Sequence, residues 1–192
     1  MDIHSLKKEL RKRIRNLKNS ISMEERKELS HIIQNKILQL EEVAKAKTIL
    51  LYHSLPDEVD TSLLLESLSN RMEGEKRVVL PVVSGEILLL KEYVPDKMNL
   101  GYQSIMEPEG EVILPEKIDL AIVPGVAFDA DCNRMGRGKG FYDKLLPSLK
   151  CCKIGLGFGF QIVGNIPCEH FDQPLDMVVT DNKVYKSPLR LV

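Results

Sequence analysis

The sequence predicts an α/β fold in which helices cover both faces of a mostly parallel sheet. Helical and strand-like segments alternate along the chain, which is typical of parallel strands joined by crossover helices. The strand-like segments, of which 118–124 is the clearest, are apolar at most positions, as expected for strands buried on both faces. With 192 residues the chain can bury a sizeable core, and we expect residues 1–192 to form a single domain.

The composition argues against several classes of protein. Hydrophobic residues make up 43% of the chain and charged residues 29%, which is typical of a globular protein in water. The net charge of -1 gives no overall attraction to nucleic acid or to a membrane surface, so we expect neither as a partner. No apolar run approaches the length of a membrane span. The four cysteines lack the spacing of a zinc site, so we expect reduced thiols in a cytoplasmic protein.

The first helix is predicted over residues 4–18. Leu6, Leu10, Ile14 and Leu17 form an apolar stripe at helical spacing. The remaining faces carry seven cations against a single glutamate: Lys7, Lys8, Arg11, Lys12, Arg13, Arg15 and Lys18. Three interpretations of this charge stay open. It forms a nucleic-acid arm, a solvated face, or a face from which one or two cations reach a bound phosphate.

A second helix and a strand follow, and they lead into a loop of interest. Ser22 and Glu25 form a capping box, which opens a helix that runs to Leu40. An apolar strand over 48–52 enters the loop 53–61, where Asp60 or Thr61 caps a helix over 62–70. Ligands of α/β sheets bind in loops at the carboxyl ends of strands.

His53 and Glu58 are therefore candidate site residues in this loop, although a glutamate in a loop is often only solvated.

The second half of the chain continues the alternation. We predict strands over 77–83 and 86–91, the latter near a sheet edge, and then an irregular loop over 100–112 that contains Tyr102. A strand over 152–161 contains glycines that permit close backbone approach. The loop 166–174 leads to a final strand over 176–180.

The segment RMGRGKGFYD (134–143) is the strongest signal of a binding site. Its alternating glycines let backbone N–H groups approach a ligand, and the predicted helix over 141–149 begins at its end. The spacing fits neither a Walker A loop nor the dinucleotide fingerprint. A flexible surface turn would be the simple alternative, but such a turn does not need Arg134, Arg137 and Lys139 within six positions. The segment predicts a phosphate site.

Two carboxylates could serve that phosphate site. Asp143 lies one turn into the helix, where it is either a partner of the helix dipole or a ligand of the Mg²⁺ that accompanies nucleotide phosphates. Asp172 follows a strand and is a second candidate. No Ser–His–Asp or Cys–His arrangement is convincing, so we expect the chemistry to consist of phosphate positioning and charge stabilisation.

Three stretches resemble the 5-formyltetrahydrofolate cyclo-ligases, also called methenyltetrahydrofolate synthetases. They are YHSLPDEVDT (52–61), VPGVAFD (123–129) and RMGRGKGFYD (134–143). The segments 157–161 and 170–172 and the residue Asp176 agree in order. The resemblance covers nearly the whole chain.

The resemblance implies a three-layer α/β/α sandwich and a specific reaction. ATP and 5-formyltetrahydrofolate become 5,10-methenyltetrahydrofolate, ADP and phosphate, and we expect phosphorylation of the formyl oxygen on the way. The implied ATP contacts are Lys7, Arg134, Gly136, Arg137, Gly138, Lys139, Gly140, Phe141 and Tyr142. The implied folate contacts are His53, Glu58, Arg137, Gly138, Lys139, Gly140 and Phe141. Asp143 and Asp172 fall on the Mg²⁺ positions, and Lys139 and Arg137 would neutralise charge during catalysis.

The chain departs from the family pattern at three positions. Ile3 stands where a lysine is usual, which Lys8 could compensate. Cys132 replaces a usual glycine. Phe141 replaces the first of two tyrosines, which keeps a ring for stacking but loses a hydroxyl group.

Two other functions remain compatible with the sequence. A phosphate-binding isomerase or acyl-transferase relative on a similar α/β fold would use the glycine loop without metal at Asp143 and Asp172. A nucleic-acid binder would use the basic first helix and would bind with steep salt dependence.

Overall fold

A seven-stranded sheet forms the centre of the structure. The structure is a computed structural model that describes residues 2–69, 76–101 and 106–188. The strands are β1 (Thr48–Leu50), β2 (Arg77–Ser84), β3 (Ile87–Glu92), β4 (Met98–Leu100), β5 (Met106–Pro108), β6 (Leu120–Pro124), β7 (Ala127–Asp129), β8 (Arg134–Met135), β9 (Cys152–Leu156), β10 (Ile162–Val163), β11 (Met177–Val179) and β12 (Val184–Lys186). The helices are α1 (Ile3–Ser20), α2 (Met23–Leu38), α3 (Glu41–Lys45), α4 (Ser62–Ser69) and α5 (Phe141–Leu145).

The order of strands across the large sheet is β12-β11-β9-β6-β1-β2-β3. The five inner strands are parallel, whereas β3 and β12 pair antiparallel at the two edges. The prediction of a mostly parallel sheet is therefore confirmed. The prediction that the strand over 86–91 lies near a sheet edge is also confirmed.

Helices and turns cover the sheet on both faces, so the predicted three layers are also confirmed. Leu120 and Ile122 of β6 point to the face covered by α2, α3 and α4. Ala121 and Val123 point to the opposite face, where α5 and the 3-10 turn after it pack. Because β6 is buried on both sides, the apolar run that identified it has no polar alternation.

The glycines of the segment 152–161 make room for an aromatic ring. The predicted strand ends at Leu156, and residues 159–161 form a 3-10 turn instead. A Cβ atom on Gly155 would lie 2.6 Å from the Phe128 ring, and one on Gly157 would lie 2.8 Å from it. The predicted close approach at these glycines is therefore confirmed, and the group that approaches them is the ring of Phe128.

The helix after the glycine loop is shorter than predicted. α5 covers Phe141–Leu145, and Leu146–Ser148 form a 3-10 turn. Pro147 has no N–H group to donate to the carbonyl of Asp143, so the α-helical hydrogen bonding stops and a 3-10 turn follows before residue 149.

Helix α1 also differs from its prediction, in the face that it buries. Its span contains the predicted range 4–18, but Leu6 and Leu17 of the predicted apolar stripe are exposed. The buried side chains are Lys7, Ile14 and Lys18. Ile14 packs on a small three-stranded sheet of order β10-β7-β8. The buried face of α1 is largely cationic because it faces the cleft described below.

Several elements were not predicted. These are α3, β12, the small sheet and the antiparallel pair β4–β5, which begins just before the segment predicted as a loop over 100–112 and ends within it. Tyr102 of that segment lies outside the described residues, as does residue 70 at the end of the predicted fourth helix. Within the described part of the chain, no helix is long and apolar enough to cross a membrane.

Candidate active site

A cleft opens where β1 and β6 lie side by side at the centre of the sheet. From β1 the chain builds one half of the sheet through β2 and β3, and from β6 it builds the other half through β9 and β11. Loops leaving two such strands diverge, so a crevice forms at their carboxyl ends. The crevice here has a volume of about 400 Å³. Its walls come from α1, the loop after β1, β2 and the segment 134–143.

Most of the predicted site residues line this one cleft. They are His53, Glu58, Arg134, Gly136, Arg137, Gly138, Lys139, Gly140, Phe141, Tyr142 and Asp143. Two of the predicted residues, Lys7 and Asp172, are not among its lining residues. The structure therefore brings the candidate phosphate loop and the candidate folate loop together, although they are about 80 residues apart in sequence.

Two of the glycines in the phosphate loop are needed for its backbone. Gly138 has φ of +95° and Gly140 has φ of +72°, values that residues with a side chain rarely adopt. Arg11 of α1 packs against this backbone, with its Nε donating to the carbonyl of Gly136 at 2.9 Å. A Cβ atom on Gly138 would meet the Arg11 guanidinium at 3.4 Å. A cation of α1 thus supports the backbone of the loop.

Arg134 anchors the other end of the loop. Its Nη2 group donates to Asp143 Oδ1 at 2.6 Å, and its Nη1 group donates to the carbonyl of Pro124 at 3.2 Å. The guanidinium also lies 5.4 Å from the centre of the Tyr142 ring. Burial is the main cause that raises the pKa of Tyr142, and Glu58 adds to it, so the phenol is protonated at neutral pH. This end of the loop is therefore fixed by a cation inside the fold.

Arg137 reaches across the cleft to the loop after β1. Its Nε and Nη2 groups donate to Glu58 Oε1 at 3.2 and 3.1 Å, and Nη2 also contacts Asp57 Oδ1. The other carboxylate oxygen of Asp57 accepts from Lys18 Nζ at 3.3 Å. Partial burial lowers the pKa of Arg137, but Glu58 and Asp57 outweigh it and leave that pKa raised. Four charged groups thus join α1, the β1 loop and the glycine loop.

Lys139 differs from these two arginines in its surroundings. It is exposed on the cleft wall, and within the described residues it has no hydrogen-bond or ion-pair partner. Within the described part of the chain, the charge of Lys139 is therefore not used in holding the fold together.

Lys7 and Asp172 form an ion pair with each other outside the cleft lining. Lys7 Nζ lies 2.5 Å from Asp172 Oδ2 and 2.8 Å from Glu169 Oε2. Burial lowers the pKa of Lys7, but the two carboxylates more than compensate and raise it overall. Arg11 lies one helical turn further along the same face. Burial lowers the pKa of Arg11, and the negative charges of Asp172 and Asp143 oppose this shift. The ion pair therefore belongs to the same charged face of α1 that borders the cleft.

The predicted metal ligands do not form a ready-made cage. Among the described residues, no group of three or more His, Cys, Asp or Glu side chains could hold a metal ion. Asp143 lies on the cleft wall with Oδ1 bonded to Arg134, and Asp172 has Oδ2 bonded to Lys7. Mg²⁺ takes one or two carboxylates from a protein and completes its shell with phosphate oxygens and water, and of these two carboxylates Asp143 is the one that lines the cleft.

The cleft is also lined by Arg11 and Lys18, two of the seven helix cations whose role the sequence left open, and by Asp57. A signal for the first two did exist. Lys7, Arg11 and Lys18 recur with Ile14 at intervals of four, three and four residues, which places them on one helix face. The sequence alone does not choose between a solvated face and a face that reaches a phosphate, because the usual mark of a buried helix face is an apolar stripe. Asp57 carried no signal, since its role depends on a loop conformation.

The departures from the family pattern have distinct structural settings. Cys132 has φ of +66° and is the one non-glycine residue of positive φ in the described part of the chain. Burial raises the pKa of its thiol to about 11, so it is an inert core thiol. The ring of Phe141 lines the cleft, and Ile3 is partly exposed at the start of α1. All four cysteines are free, as predicted.

Comparisons with known proteins identify the family of the chain. The 5-formyltetrahydrofolate cyclo-ligase family matches residues 3–181. A 5-formyltetrahydrofolate cyclo-ligase of Escherichia coli K12 is 32% identical over 183 residues, covering 90% of this chain and 99% of that protein. The corresponding protein of Haemophilus influenzae is 34% identical, covering 88% and 94%.

Two solved structures are also similar. The NMR structure of Aquifex aeolicus 5,10-methenyltetrahydrofolate synthetase superposes with a TM-score of 0.86 at 37% identity, covering 95% of this chain and 93% of that one. A 5,10-methenyltetrahydrofolate synthetase from Mycoplasma pneumoniae gives a TM-score of 0.74 at 28% identity, covering 91% and 98%.

Proposed function

We propose that this chain, which belongs to the 5-formyltetrahydrofolate cyclo-ligase family, catalyses the ATP-dependent conversion of 5-formyltetrahydrofolate to 5,10-methenyltetrahydrofolate. ADP and phosphate are the other products. One observation carries the proposal beyond family membership. The glycine loop and the loop after β1 face each other across a single cleft at the centre of the sheet.

The two substrates have separate walls in this proposal. Residues 136–142 hold the ATP phosphates, because this loop combines exposed backbone at Gly138 and Gly140 with the charge of Lys139. His53 and Glu58 hold the folate, and the ring of Phe141 stacks on its pterin. Arg137 lies between the walls and contacts both ligands. Lys7 contributes from the rim, once a phosphate competes with its ion pair to Asp172.

The chemistry starts from an amide, which is a poor electrophile with a poor leaving oxygen. The formyl oxygen attacks the γ-phosphorus of ATP, the bond to the β-phosphate oxygen breaks, and ADP leaves. The product is an iminium-like formyl phosphate. N10 of the folate then attacks the formyl carbon and loses its proton, and phosphate departs with the original formyl oxygen, which leaves the methenyl bridge.

In this proposal the residues of the chain position the substrates and neutralise negative charge, and none of them acts as a nucleophile. Lys139 and Arg137 stabilise the negative charge of the transferring phosphoryl group, which is the main catalytic demand of such a transfer. Glu58 accepts hydrogen bonds from the pterin and orients the formyl oxygen toward the phosphate. Alignment of the two substrates inside one crevice supplies the remaining rate enhancement.

Mg²⁺ would be held by Asp143 and Asp172 together with the phosphate oxygens of ATP. When bound, the ion neutralises phosphate charge and so assists the transfer. Arg134 already orients Asp143 by donating a hydrogen bond to it, as neighbouring side chains commonly do for carboxylates that bind metal ions.

A direct experiment tests the function. ADP release is measured with ATP in the presence of 5-formyltetrahydrofolate, of the 10-formyl isomer, and of no folate. We expect ADP only with the 5-formyl compound. ADP release that ignores the folate would contradict the proposal and favour a phosphate-binding enzyme of another class.

An isotope experiment tests the mechanism separately. The formyl oxygen is labelled with a heavy isotope, and the products of one turnover are separated. We expect the label in the released phosphate. Label found only in water or formate would leave the activity standing but would overturn phosphorylation of the formyl oxygen.

A further inference from the structure

A charged network connects α1 to the glycine loop. It differs from an ordinary surface salt bridge because one carboxylate is shared by two cations and one of these cations is buried. The carboxylate of Asp57 is shared, with Oδ2 on Lys18 and Oδ1 on Arg137. The Lys18 side chain is only 3% exposed, although a lysine seldom enters the interior of a protein. Desolvation lowers the pKa of Lys18, and Asp57 is the largest influence that opposes this shift. A buried lysine therefore fixes Asp57 from behind.

Arg137 is bound along one edge of its guanidinium. The edge made by Nε and Nη2 meets Glu58 and Asp57, while Nη1 forms no hydrogen bond or ion pair with any of the described residues. The planar guanidinium has five N–H donors in a fixed fork, so the clamp on one edge determines the direction of the other. Because glycines flank Arg137 on both sides, its backbone alone would not hold the side chain in one orientation.

We propose that Asp57, backed by Lys18, is a positioning residue that holds Arg137 so that its Nη1 group faces the anionic substrate. This inference rests on the proposed function, which assigns Arg137 to the transferring phosphate. Asp57 itself contacts no substrate in this scheme. Its contribution is to order a long side chain before the ligand arrives, and so to reduce the conformational entropy that binding would otherwise cost.

The network also links the two substrates. Glu58 is the folate residue of the proposed function, and it shares the same edge of Arg137 with Asp57. When a folate donates hydrogen bonds to Glu58, Asp57 still retains Arg137. Without Asp57, the folate and the arginine would compete for Glu58, and Arg137 would lose its direction just when the phosphoryl group transfers.

The test is a double-mutant cycle on turnover. Asp57→Asn is made in the wild-type chain and in Arg137→Gln, and kcat and KM for ATP are measured with 5-formyltetrahydrofolate. We expect kcat to fall about tenfold in the wild-type background, a loss in the range that misplacement of a catalytic group causes. In the Arg137→Gln background we expect less than a twofold change. Glu41→Gln, which removes a surface ion pair with Lys45, is the matched control and should leave both constants unchanged.

Removal of Asp57 leaves the buried Lys18 without its carboxylate, so both measurements are repeated with Lys18→Met. An equal loss of kcat in the two Arg137 backgrounds, or no loss in either, would overturn the proposal. Failure of Asp57→Asn to fold in both Lys18 backgrounds would also overturn it, because that result assigns Asp57 to folding. If the wild-type chain shows no folate-dependent ADP release, the proposed function fails instead, and the two failures are thus distinguishable.

Discussion

At the scale of single residues, the three cations of the glycine segment are chemically alike but structurally different. Arg134 is buried and serves the fold through Asp143. Arg137 is half-exposed and bound by the carboxylates of the β1 loop. Lys139 is exposed on the cleft wall with no partner in the described part of the chain. The three positions should therefore respond to substitution in three different ways.

Substitution of Lys139 tests its role in catalysis. Lys139→Ala removes a charge that the proposed function assigns to the phosphate and that no described residue pairs with. We therefore expect a loss of about 2–4 kcal/mol of transition-state stabilisation and an unchanged free energy of unfolding. The measurements are kcat/KM at saturating folate and urea unfolding. Lys150→Ala, at an exposed lysine outside the cleft, is the control. Wild-type turnover of Lys139→Ala at saturating ATP would show that the lysine is not part of the phosphate site.

The two carboxylates proposed for Mg²⁺ should differ in their structural cost. Asp143→Asn leaves the buried Arg134 without its ionic partner, and we expect a loss of about 1–3 kcal/mol of stability. Asp172→Asn should cost less, because Lys7 retains Glu169. Both variants should raise the half-saturating Mg²⁺ concentration about tenfold. An unchanged Mg²⁺ requirement in both would show that these carboxylates serve only the fold.

At the scale of elements, packing against a neighbouring strand explains why the β9 segment contains glycines. Phe128 of β7 lies over Gly125, Gly155 and Gly157, so two adjacent strand ends have no side chain where the ring sits. The ring joins the small sheet to the face of the large one. β8, which pairs with β7 and leads into the glycine loop, is thereby connected to the core of the large sheet.

Substitution of one of these glycines tests the packing. A Cβ atom at Gly155 would lie 2.6 Å from the Phe128 ring and 2.7 Å from Leu175, so Gly155→Ala should cost about 1–3 kcal/mol through overpacking. Gly164→Ala is the matched control, because its Cβ would meet no atom within 4 Å. Urea unfolding of both variants measures the difference. Equal stability of the two variants would mean that the ring moves aside freely.

The elements also show where prediction from sequence succeeds. The inner strands could be predicted because burial on both faces leaves continuous apolar runs such as 118–124. The small strands β7, β8 and β10 could not, since two or three residues carry no period. The buried face of α1 was predicted wrongly, because Lys18 is buried by an ion pair with a residue 39 positions away. Local patterns do not record such distant pairings.

At the scale of the whole molecule, the same limit applies to the site. The glycine loop could be recognised from its own residues, and His53 and Glu58 from their place after a strand. That they face one another depends on the order of β1 and β6 in the sheet. The clamp on Arg137 depends further on α1 lying across the cleft, which comes from the packing of Ile14 on the small sheet. Tertiary structure, not motif, assembles the cleft from three distant parts of the chain.

This assembly leads to a prediction about ligand binding to the intact chain. A nonhydrolysable ATP analogue that contacts the glycine loop should also order the two other walls, because Arg137 and Arg11 connect them. At 100 times its Kd the analogue should add about 2.7 kcal/mol to the free energy of unfolding. In hydrogen exchange we expect slower exchange at the loop 53–58 and in α1 as well as at 136–143, with α3 as the unaffected reference. Protection confined to 136–143 would mean that the three walls act independently and that the charged network carries no coupling between them.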